Sequence, residues 1–403
     1  MTTVSILRDI ALVVVLWAVL SFCLIRLTHL RKLWAILVLI GVTLAVPGSF
    51  IVTMLTRSIG SNEHRFIWIV ITSGLVVLMY LAGCLIVVWI INGVWWLLER
   101  HAAKRSAQPA RAAVDEPSPL PGQRLTMVRL LTVVSVAVSL ITTGYGYVEA
   151  QRPSVNPVSL SFANLPANFD GIKIALLSDL HVGATTRNSF LPNLVNQVNA
   201  AHPDLIVIAG DVVDGSVAEL GPRVSVLDQL SAPYGVIFTT GNHEFYSGAH
   251  PWMDYFSQLG FRVLNNDGIG LQRGMQTIQI LGINDRMGTG DLAPNLQLAS
   301  QRANVTAPAT DPFRILVAHE PVQDTADNGL AGRLGVDLQL SGHTHGGQLW
   351  PFGYLDLLSQ PVLDGVHVVD NVTLVTTRGV GEWGPPIRVG ADPEITLITL
   401  HTS

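Results

Sequence analysis

Charged residues are scarce in this chain, making up 13% of its 403 positions against 49% hydrophobic residues. An ordinary soluble domain carries about 25% charged residues, so a wholly soluble protein is disfavoured. The apolar excess lies in four stretches: Ile10–Ile25, Leu33–Leu55, Phe66–Leu98 and Leu130–Tyr147. At ~1.5 Å per residue each can cross, or nearly cross, ~30 Å of hydrocarbon. The sequence therefore predicts four transmembrane helices within a membrane domain at residues 1–152.

Cysteine is almost absent. The two cysteines, Cys23 and Cys84, both fall inside predicted spans, so residues 153–403 contain none. This second part therefore has no disulfides and must be held together by burial of a hydrophobic core, for which its length is sufficient. The lack of thiols there also disfavours a structural zinc site with cysteine ligands.

Basic residues are few after residue 152. That part has 11 Lys and Arg against 23 Asp and Glu, whereas residues 1–152 have 13 against 6. An acidic domain argues against nucleic acid as a partner, because phosphate backbones are bound largely through Lys and Arg.

Loop charges predict the orientation in the cell membrane. Eight Lys and Arg flank one side of the four spans and four flank the other. The positive-inside rule places the richer side in the cytoplasm, so the multi-pass chain has both termini and the domain at 153–403 outside the cytoplasm. Residues 101–124, rich in Ala, Pro, Arg and Ser, are predicted to form a flexible cytoplasmic linker.

After residue 158 the pattern changes to short apolar runs separated by polar loops and helical stretches. Five runs predict buried strands: Ile172–Leu177, Leu205–Ala209, Val236–Thr239, Ile315–Ala318 and Val336–Leu340. Three later runs, which have less helix between them, are predicted to form a second sheet: Ile278–Ile283, Val372–Thr377 and Ile395–Leu400. Strands that alternate with helices indicate an α/β domain, here a two-sheet sandwich flanked by helices.

Polar side chains able to bind metals follow each of the five buried strands. In chain order the clusters are Ser178-Asp179-Leu180-His181, Gly210-Asp211-Val212-Val213-Asp214, Gly241-Asn242-His243-Glu244, His319-Glu320-Pro321 and Ser341-Gly342-His343-Thr344-His345. A single histidine at a strand end is more often a core residue than a ligand. Five such clusters in succession are not expected by chance, and ligand sites of α/β sheets lie at the carboxyl ends of strands. The five ends are therefore predicted to converge on one crevice.

The donor types in these clusters suit divalent ions. Carboxylate, imidazole and amide oxygen ligands fit Mn, Fe, Zn or Ni. Seven side chains are too many for one ion, whereas a pair ~3.5–4 Å apart, bridged by one carboxylate, would use them all. Such a pair clamps a phosphate and generates hydroxide for in-line attack. The predicted cofactors are thus two divalent transition-metal ions.

The order of the motifs resembles that of the calcineurin-like metallophosphoesterases. The matching motifs lie within about Lys173–Gln348 and are Asp179-x-His181, Gly210-Asp211-x-x-Asp214, Gly241-Asn242-His243-Glu244, His319-x-Pro321 and Gly342-His343-x-His345. Three further segments are similar to the membrane-associated bacterial subgroup: Gly342–Gln348, Thr377–Gly381 and Pro385–Arg388. The resemblance implies the calcineurin-like phosphoesterase fold and metal-dependent hydrolysis of phosphoric esters.

The resemblance also implies a metal-binding role for seven residues. One ion would be held by Asp179, His181 and His345, the other by Asn242, His319 and His343, with Asp211 bridging the two.

Three further residues would act on the substrate or on one another. His243 would contact the phosphate and protonate the leaving oxygen, and Asp214 would orient it. Arg378 would neutralise a phosphate oxygen, although an arginine before a Gly-rich turn is as often structural.

The sequence thus predicts a membrane-anchored hydrolase of phosphomonoesters or phosphodiesters. A domain near the outer leaflet would meet lipid or envelope-precursor phosphates, and its position alone supports that substrate class. Cleavage of a soluble phosphoester is the nearer alternative. A non-catalytic extracytoplasmic sensor of metal or phosphate, attached to the helix bundle, is an alternative of another class. If the helices worked as a transporter or receptor, the spans would be expected to hold paired charges, and Asn92 is the only strongly polar side chain well inside one. If the domain only bound metal, His243 and Asp214 would have no task.

Overall fold

The computed structural model describes residues 3–28, 32–48, 65–106, 121–308, 312–323 and 329–403. The chain divides into two compact units, of which the first contains the apolar helices up to Tyr145. The second runs from Gly146 to Ser403 and includes Arg65. The domain boundary placed between residues 152 and 153 remains a prediction.

The N-terminal part is helical. Its helices are α1 (Thr3–Thr28), α2 (Lys32–Thr43, continued by a π-helical turn at Leu44–Gly48), α3 (Arg65–Ser106) and α4 (Pro121–Glu149). Among the described residues, two helical stretches are long and apolar enough to cross a membrane, Arg65–Ala102 and Gly122–Glu149, whereas Val13–Thr28 and Lys32–Gly48 are shorter. These two long stretches correspond to the third and fourth predicted spans, and the first and second spans stay predictions.

Two predictions in this part fall partly on residues outside the described ranges, namely 49–55 of the second span and 107–120 of the linker. Helix α3 continues through Ser106, since His101-Ala-Ala-Lys-Arg contains strong helix formers. Helix α4 begins at Pro121, and proline fits the first helical turn. Residues 101–106 and 121–124 are therefore helical, contrary to the flexible linker predicted at 101–124.

The described residues of the second unit contain twelve strands in two six-stranded sheets. The strands are β1 (Ser154–Phe162), β2 (Ile172–Leu177), β3 (Leu205–Ala209), β4 (Val236–Thr239), β5 (Arg262–Val263), β6 (Asp267–Arg273), β7 (Gln276–Gly282), β8 (Arg314–Val317), β9 (Leu338–Ser341), β10 (Gly365–Val369), β11 (Val372–Thr376) and β12 (Glu394–Thr402). The first sheet has the order β1-β12-β2-β3-β4-β5 and the second β10-β11-β9-β8-β7-β6. Each sheet is parallel at its centre, because β2, β3 and β4 pair in parallel, as do β7, β8, β9 and β11.

Helices cover the outer faces of the two sheets. They are α5 (Phe190–Ala200), α6 (Val217–Val224), α7 (Asn242–Ser247), α8 (Ala249–Gln258), α9 (Leu296–Thr306) and α10 (Leu330–Arg333). Alternate residues of a strand point to opposite faces of a sheet. On β2, Ile174 and Leu176 join the core between the sheets, whereas Ala175 and Leu177 join a cluster with Leu194 of α5. The predicted helix-flanked, two-sheet α/β sandwich is confirmed.

Three strands lie in a different sheet from the one predicted. The run Ile395–Leu400 forms part of β12, which lies in the first sheet between β1 and β2 and pairs antiparallel with β2. Strands β8 and β9, predicted in one group with β2, β3 and β4, belong to the second sheet. An apolar run shows that a strand is buried, but it carries no signal for its pairing partner, because the central strands of both sheets are buried on both faces.

Candidate metal centre

Five strand ends from both sheets supply the candidate site. In the first sheet, β2, β3 and β4 end next to one another before the clusters at Asp179, Asp211 and Asn242. In the second sheet, β8 and β9 end before His319 and His343. The predicted convergence of the five clusters on one crevice agrees with the distances between their side chains, although they come from two sheets and not one.

The first group of donors consists of Asp179, His181 and His345, all buried. Nε2 of His181 lies 3.1 Å from Nε2 of His345. Oδ1 of Asp179 lies 3.4 Å from Nε2 of His345 and 4.0 Å from Nε2 of His181. Three donor atoms therefore face a common point, which is the arrangement a small cation requires.

The second group consists of Asn242, His319 and His343. Nδ1 of His343 lies 3.1 Å from Oδ1 of Asn242 and 3.2 Å from Nε2 of His319. The Nδ1–H of His319 donates to the carbonyl of Ala209 at 2.7 Å, which directs its Nε2 towards the group. Hydrogen bonds of this kind orient histidine ligands in metal sites.

Asp211 lies between the two groups. Its Oδ2 is 3.2 Å from Nε2 of His319 and 3.7 Å from Nε2 of His181. Burial alone would raise the pKa of Asp211, but the imidazoles of His319, His243 and His181 hold it well below the usual range. An ionised carboxylate between two donor groups is the geometry that bridges a pair of ions.

The backbone around these donors is strained. Five of the proposed ligands have left-handed backbone angles: Asp179 (φ 57°), His181 (43°), Asp211 (53°), His343 (73°) and His345 (52°). This conformation is unfavourable for residues other than glycine, and such strain concentrates at functional sites. A Cβ on Gly241 would lie 2.2 Å from Oδ1 of Asp211, so the glycine of this motif permits the close approach of the two loops.

Asp214 holds two imidazoles. The Nδ1–H of His243 donates to its Oδ1 at 2.6 Å, and the Nδ1–H of His181 donates to the same oxygen at 2.9 Å. Burial opposes protonation of His243, but the carboxylates of Asp211 and Asp214 raise its pKa to about 9. The side chain of His243 is 16% exposed and that of His181 is 1% exposed, so His243 is the imidazole of the two that solvent can reach.

Glu244 joins the loops after β3 and β4. Its carboxylate accepts hydrogen bonds from the backbone N–H groups of Gly241, Asp211 and Val212 at 2.7–2.9 Å. Burial and the charge of Asp211 raise the pKa of Glu244 to about 7, against the effect of these three donors. Glu244 thus shapes the loop that carries Asp211 and does not belong to the donor groups.

Arg388 ends the Pro385–Arg388 segment, and no role at the site was predicted for it from the sequence. It is completely buried, and its guanidinium donates to the carbonyls of His345, Arg378, Gly379 and Ala391. Its Nη2 also lies 3.3 Å from Nδ1 of His345. Burial, the imidazole of His181 and this guanidinium lower the pKa of His345, which keeps its imidazole neutral and able to bind a cation.

Arg378 is held by carboxylates. Its Nη2 lies 2.6 Å from Oε2 of Glu394, its Nε donates to the same oxygen at 3.0 Å, and Asp364 lies 3.7 Å away. This network supports the structural interpretation of Arg378. Its contact with a substrate phosphate stays a prediction.

The donor set fits divalent cations. Each group contains imidazole nitrogens and a carboxylate or amide oxygen. Three sets of His and Asp donors have ligand atoms within 4.8 Å of one another, and one of these sets joins His243 to His181 and Asp211. Nitrogen and oxygen donors without thiolate suit divalent transition metals. The described residues therefore form a candidate metal-binding centre.

The sequence pattern that defines the calcineurin-like phosphoesterases matches residues 172–347, which include all seven donors. A metallophosphoesterase from Campylobacter jejuni is 32% identical over 284 residues, covering 68% of this chain and 71% of the relative. The chain belongs to the calcineurin-like metallophosphoesterases. This family comprises metal-dependent phosphoric ester hydrolases, in agreement with the resemblance of the motifs.

Two further metallophosphoesterases show how far the similarity extends. A transmembrane protein with metallophosphoesterase domain from Danio rerio is 34% identical over 275 residues, covering 67% of this chain and 62% of the relative. YkuE of Bacillus subtilis, an uncharacterised metallophosphoesterase, is 30% identical over 275 residues, covering 64% of this chain and 91% of the relative. This chain thus spans less than two thirds of the Danio rerio relative's length. A solved dimetal phosphatase from Danio rerio aligns over 54% of this chain and 90% of its own with 16% identity and a TM-score of 0.36, too loosely to add to the assignment.

Proposed function

We propose that this metallophosphoesterase is a membrane-anchored enzyme that uses two divalent ions to hydrolyse phosphomonoesters or phosphodiesters. The observation that carries the proposal is the position of Asp211, whose carboxylate lies between two separate donor groups. A site for a single ion would not need a second group of histidines on the far side of that carboxylate.

Each donor group would hold one ion. Asp179, His181 and His345 would bind the first, and Asn242, His319 and His343 the second, with Asp211 shared. Bound ions would polarise the phosphoryl oxygens and lower the pKa of a water molecule, which supplies the nucleophile. Mn, Fe, Zn and Ni all suit these donors.

His243 would be the general acid. Its Nδ1–H donates a hydrogen bond to Asp214, so its Nε2 is the nitrogen left to contact the substrate. A pKa near 9 keeps the imidazole protonated at neutral pH, ready to donate a proton to the leaving oxygen. The same charge attracts the phosphate before the reaction begins.

The membrane anchoring is supported by the two long apolar stretches, Arg65–Ala102 and Gly122–Glu149. We propose a multi-pass chain in the cell membrane with the phosphoesterase unit outside the cytoplasm, on the basis of the charge bias of the loops. That position favours lipid or envelope-precursor phosphates as substrates.

Hydrolysis of chromogenic esters by the full chain in detergent tests the proposal. The chain is stripped with a chelator and given p-nitrophenyl phosphate or bis(p-nitrophenyl) phosphate with each metal in turn. We expect a divalent transition metal to restore hydrolysis in the unaltered chain and in Asp291→Asn, whose carboxylate is 84% exposed, but not in Asp211→Asn. Metal binding without hydrolysis of either ester would favour the sensor alternative instead.

A further inference from the structure

An exposed apolar patch follows the last metal-ligand motif. It consists of Trp350, Tyr354, Leu355, Leu357 and Leu358 of one short segment, together with Trp383 from a later loop. The exposed fraction of these residues ranges from 46% for Leu357 to 86% for Leu358. Asp356 is the only charged residue from Trp350 to Leu358. Large apolar side chains gathered on a surface mark an interaction site.

The patch is built on the loop that carries His345. A Cβ on Gly353 would lie 1.9 Å from the carbonyl oxygen of Gly347, so the patch segment folds directly against the turn after His345. Gln348, two residues before Trp350, holds the loop of Trp383, because its side chain donates to the carbonyl of Trp383 at 3.1 Å and accepts from its N–H at 3.0 Å. The patch is therefore fixed close to the candidate metal centre.

The patch is also joined to the end of helix α4. The N–H of Trp350 donates to the carbonyl of Val389 at 2.8 Å, and the N–H of Arg388 donates to the carbonyl of Gly146 at 3.0 Å. A Cβ on Gly146 would lie 2.7 Å from Cγ2 of Val389. Gly146 lies in the last turn of α4, whose stretch Gly122–Glu149 is apolar and long enough to cross a membrane.

Chain length also keeps the start of β1 close to the end of that helix. Four residues separate Glu149, where α4 ends, from Ser154, where β1 begins. Even a fully extended chain spans at most about 18 Å over that distance. An apolar, aromatic surface at this position fits the interfacial layer of a bilayer, where Trp and Tyr are enriched.

We propose that the apolar patch inserts into the interfacial layer of the membrane and directs the metal centre to the phosphate groups of membrane lipids. Leucine side chains would enter the acyl region while Trp350, Tyr354 and Trp383 lie at the level of the headgroups. The substrate class, though not the membrane contact, rests on the proposed phosphoesterase function. A soluble protein partner for the patch is an outcome that the tests below separate.

Site-directed spin labelling tests the membrane contact without any assay of activity. Because Cys23 and Cys84 are the chain's two cysteines, replacing both with serine allows a single label at Leu358→Cys. Met275→Cys, whose side chain is 98% exposed in the turn between β6 and β7, is the control. In phosphatidylcholine nanodiscs, oxygen collects in the hydrocarbon and a nickel chelate stays in water.

We expect the label at 358 to be relaxed more by oxygen than by the nickel chelate, and the label at 275 to show the reverse. A label at 358 that is as accessible to nickel as the label at 275 overturns the proposal. If the label at 358 becomes shielded from the nickel chelate only after a soluble protein is added, the result would also overturn the proposal, in favour of a protein partner.

Substrate preference tests the second half of the proposal. The double variant Leu355→Ser and Leu358→Ser is compared with the unaltered full chain and with Met275→Ser in nanodiscs. The lipid substrate is dioleoyl phosphatidic acid if the soluble monoester is cleaved, and phosphatidylglycerol if the diester is. Loss of the apolar contact should lower kcat/KM on the lipid by about tenfold or more, with the soluble ester unaffected.

An equal change on both substrates, or none on the lipid, overturns the lipid assignment. Absence of hydrolysis of both esters by the unaltered chain would refute the proposed function instead, and the spin-label result would still decide the membrane contact.

Discussion

Nδ1 of His243 lies 2.6 Å from Oδ1 of Asp214, and the same oxygen also accepts a hydrogen bond from Nδ1 of His181 at 2.9 Å. One carboxylate therefore sets the tautomer of the proposed general acid and of a proposed metal ligand. In each ring the Nδ1–H is donated to this carboxylate, so Nε2 is the nitrogen left to act on the substrate or the metal. Changes at Asp214 should consequently affect both catalysis and metal binding.

His243→Ala should slow hydrolysis according to the leaving group. General acid catalysis contributes about 10²–10⁴-fold, and an alkyl phosphate needs protonation of its leaving oxygen far more than a p-nitrophenyl ester does. We expect kcat to fall by about that factor on the alkyl ester and much less on the nitrophenyl ester, measured by phosphate release at saturating metal. Equal losses on both esters would contradict a general-acid role for His243. His250→Ala, at a histidine whose side chain is 62% exposed, is the control.

Asp214→Asn should move the basic limb of the pH–rate profile. The neighbouring carboxylates raise the pKa of His243 to about 9, so the acid form is present below that pH and is lost as pH rises through it. Removing one carboxylate lowers this pKa, and the fall in kcat should then begin at a lower pH. The amplitude should also drop by about 10–100-fold, as for other groups that orient catalytic or ligating histidines. If the basic limb of the Asp214→Asn profile stays at the same pH, Asp214 does not raise the pKa of the group that titrates there, which would contradict the prediction.

Arg388→Lys should weaken metal binding. The lysine side chain cannot satisfy the carbonyls that the buried guanidinium contacts, so the loop of His345 loses its support. We expect the affinity for the ion of the Asp179, His181 and His345 group to fall by about 10–100-fold in titration calorimetry.

Arg314→Lys is the matched control, because Arg314 also donates to a backbone carbonyl, that of Leu334, but lies at the opposite end of β8 from His319. Comparable melting temperatures with a metal affinity lowered only in Arg388→Lys would support the positioning role. Equal affinities in the two variants would refute it.

Glu244→Ala should destabilise the second unit. It leaves three buried N–H donors without an acceptor, and the cost of about 1 kcal/mol or more for each gives a loss of about 3 kcal/mol. For a unit of this size the apparent unfolding temperature in detergent should fall by about 6 °C or more. Glu219→Ala removes the exposed capping box of α6 and should cost at most about 1 kcal/mol. Similar shifts in the two variants would contradict the structural role of Glu244.

Much of the site could be predicted because it lies at strand ends. The runs Ile172–Leu177, Leu205–Ala209 and Val236–Thr239 coincide with β2, β3 and β4, since their apolar residues are continuous and glycine or a polar residue ends each one. The polar residues that follow are therefore at a known edge of the sheet. A family resemblance then adds the expected pairing of ligands, which the sequence pattern alone does not contain.

Other features depend on contacts between distant residues and leave no local signal. Arg388 reads as one more arginine in a loop, and only the fold brings its guanidinium to His345. Likewise, β12 is an apolar run like any other, and its place beside β2 is set by pairing across more than 200 residues. The apolar patch after Gln348 was missed because short apolar runs are normally buried.

The number of ions bound per chain tests the central claim most directly. The purified full chain, stripped of metal and equilibrated with manganese, is assayed by mass spectrometry of its metal content alongside Asp211→Asn. We predict two ions per chain in the unaltered protein and a clear loss in the variant, because one carboxylate lies between both donor groups. A single ion in the unaltered protein, or two ions retained in Asp211→Asn, would contradict the dinuclear centre.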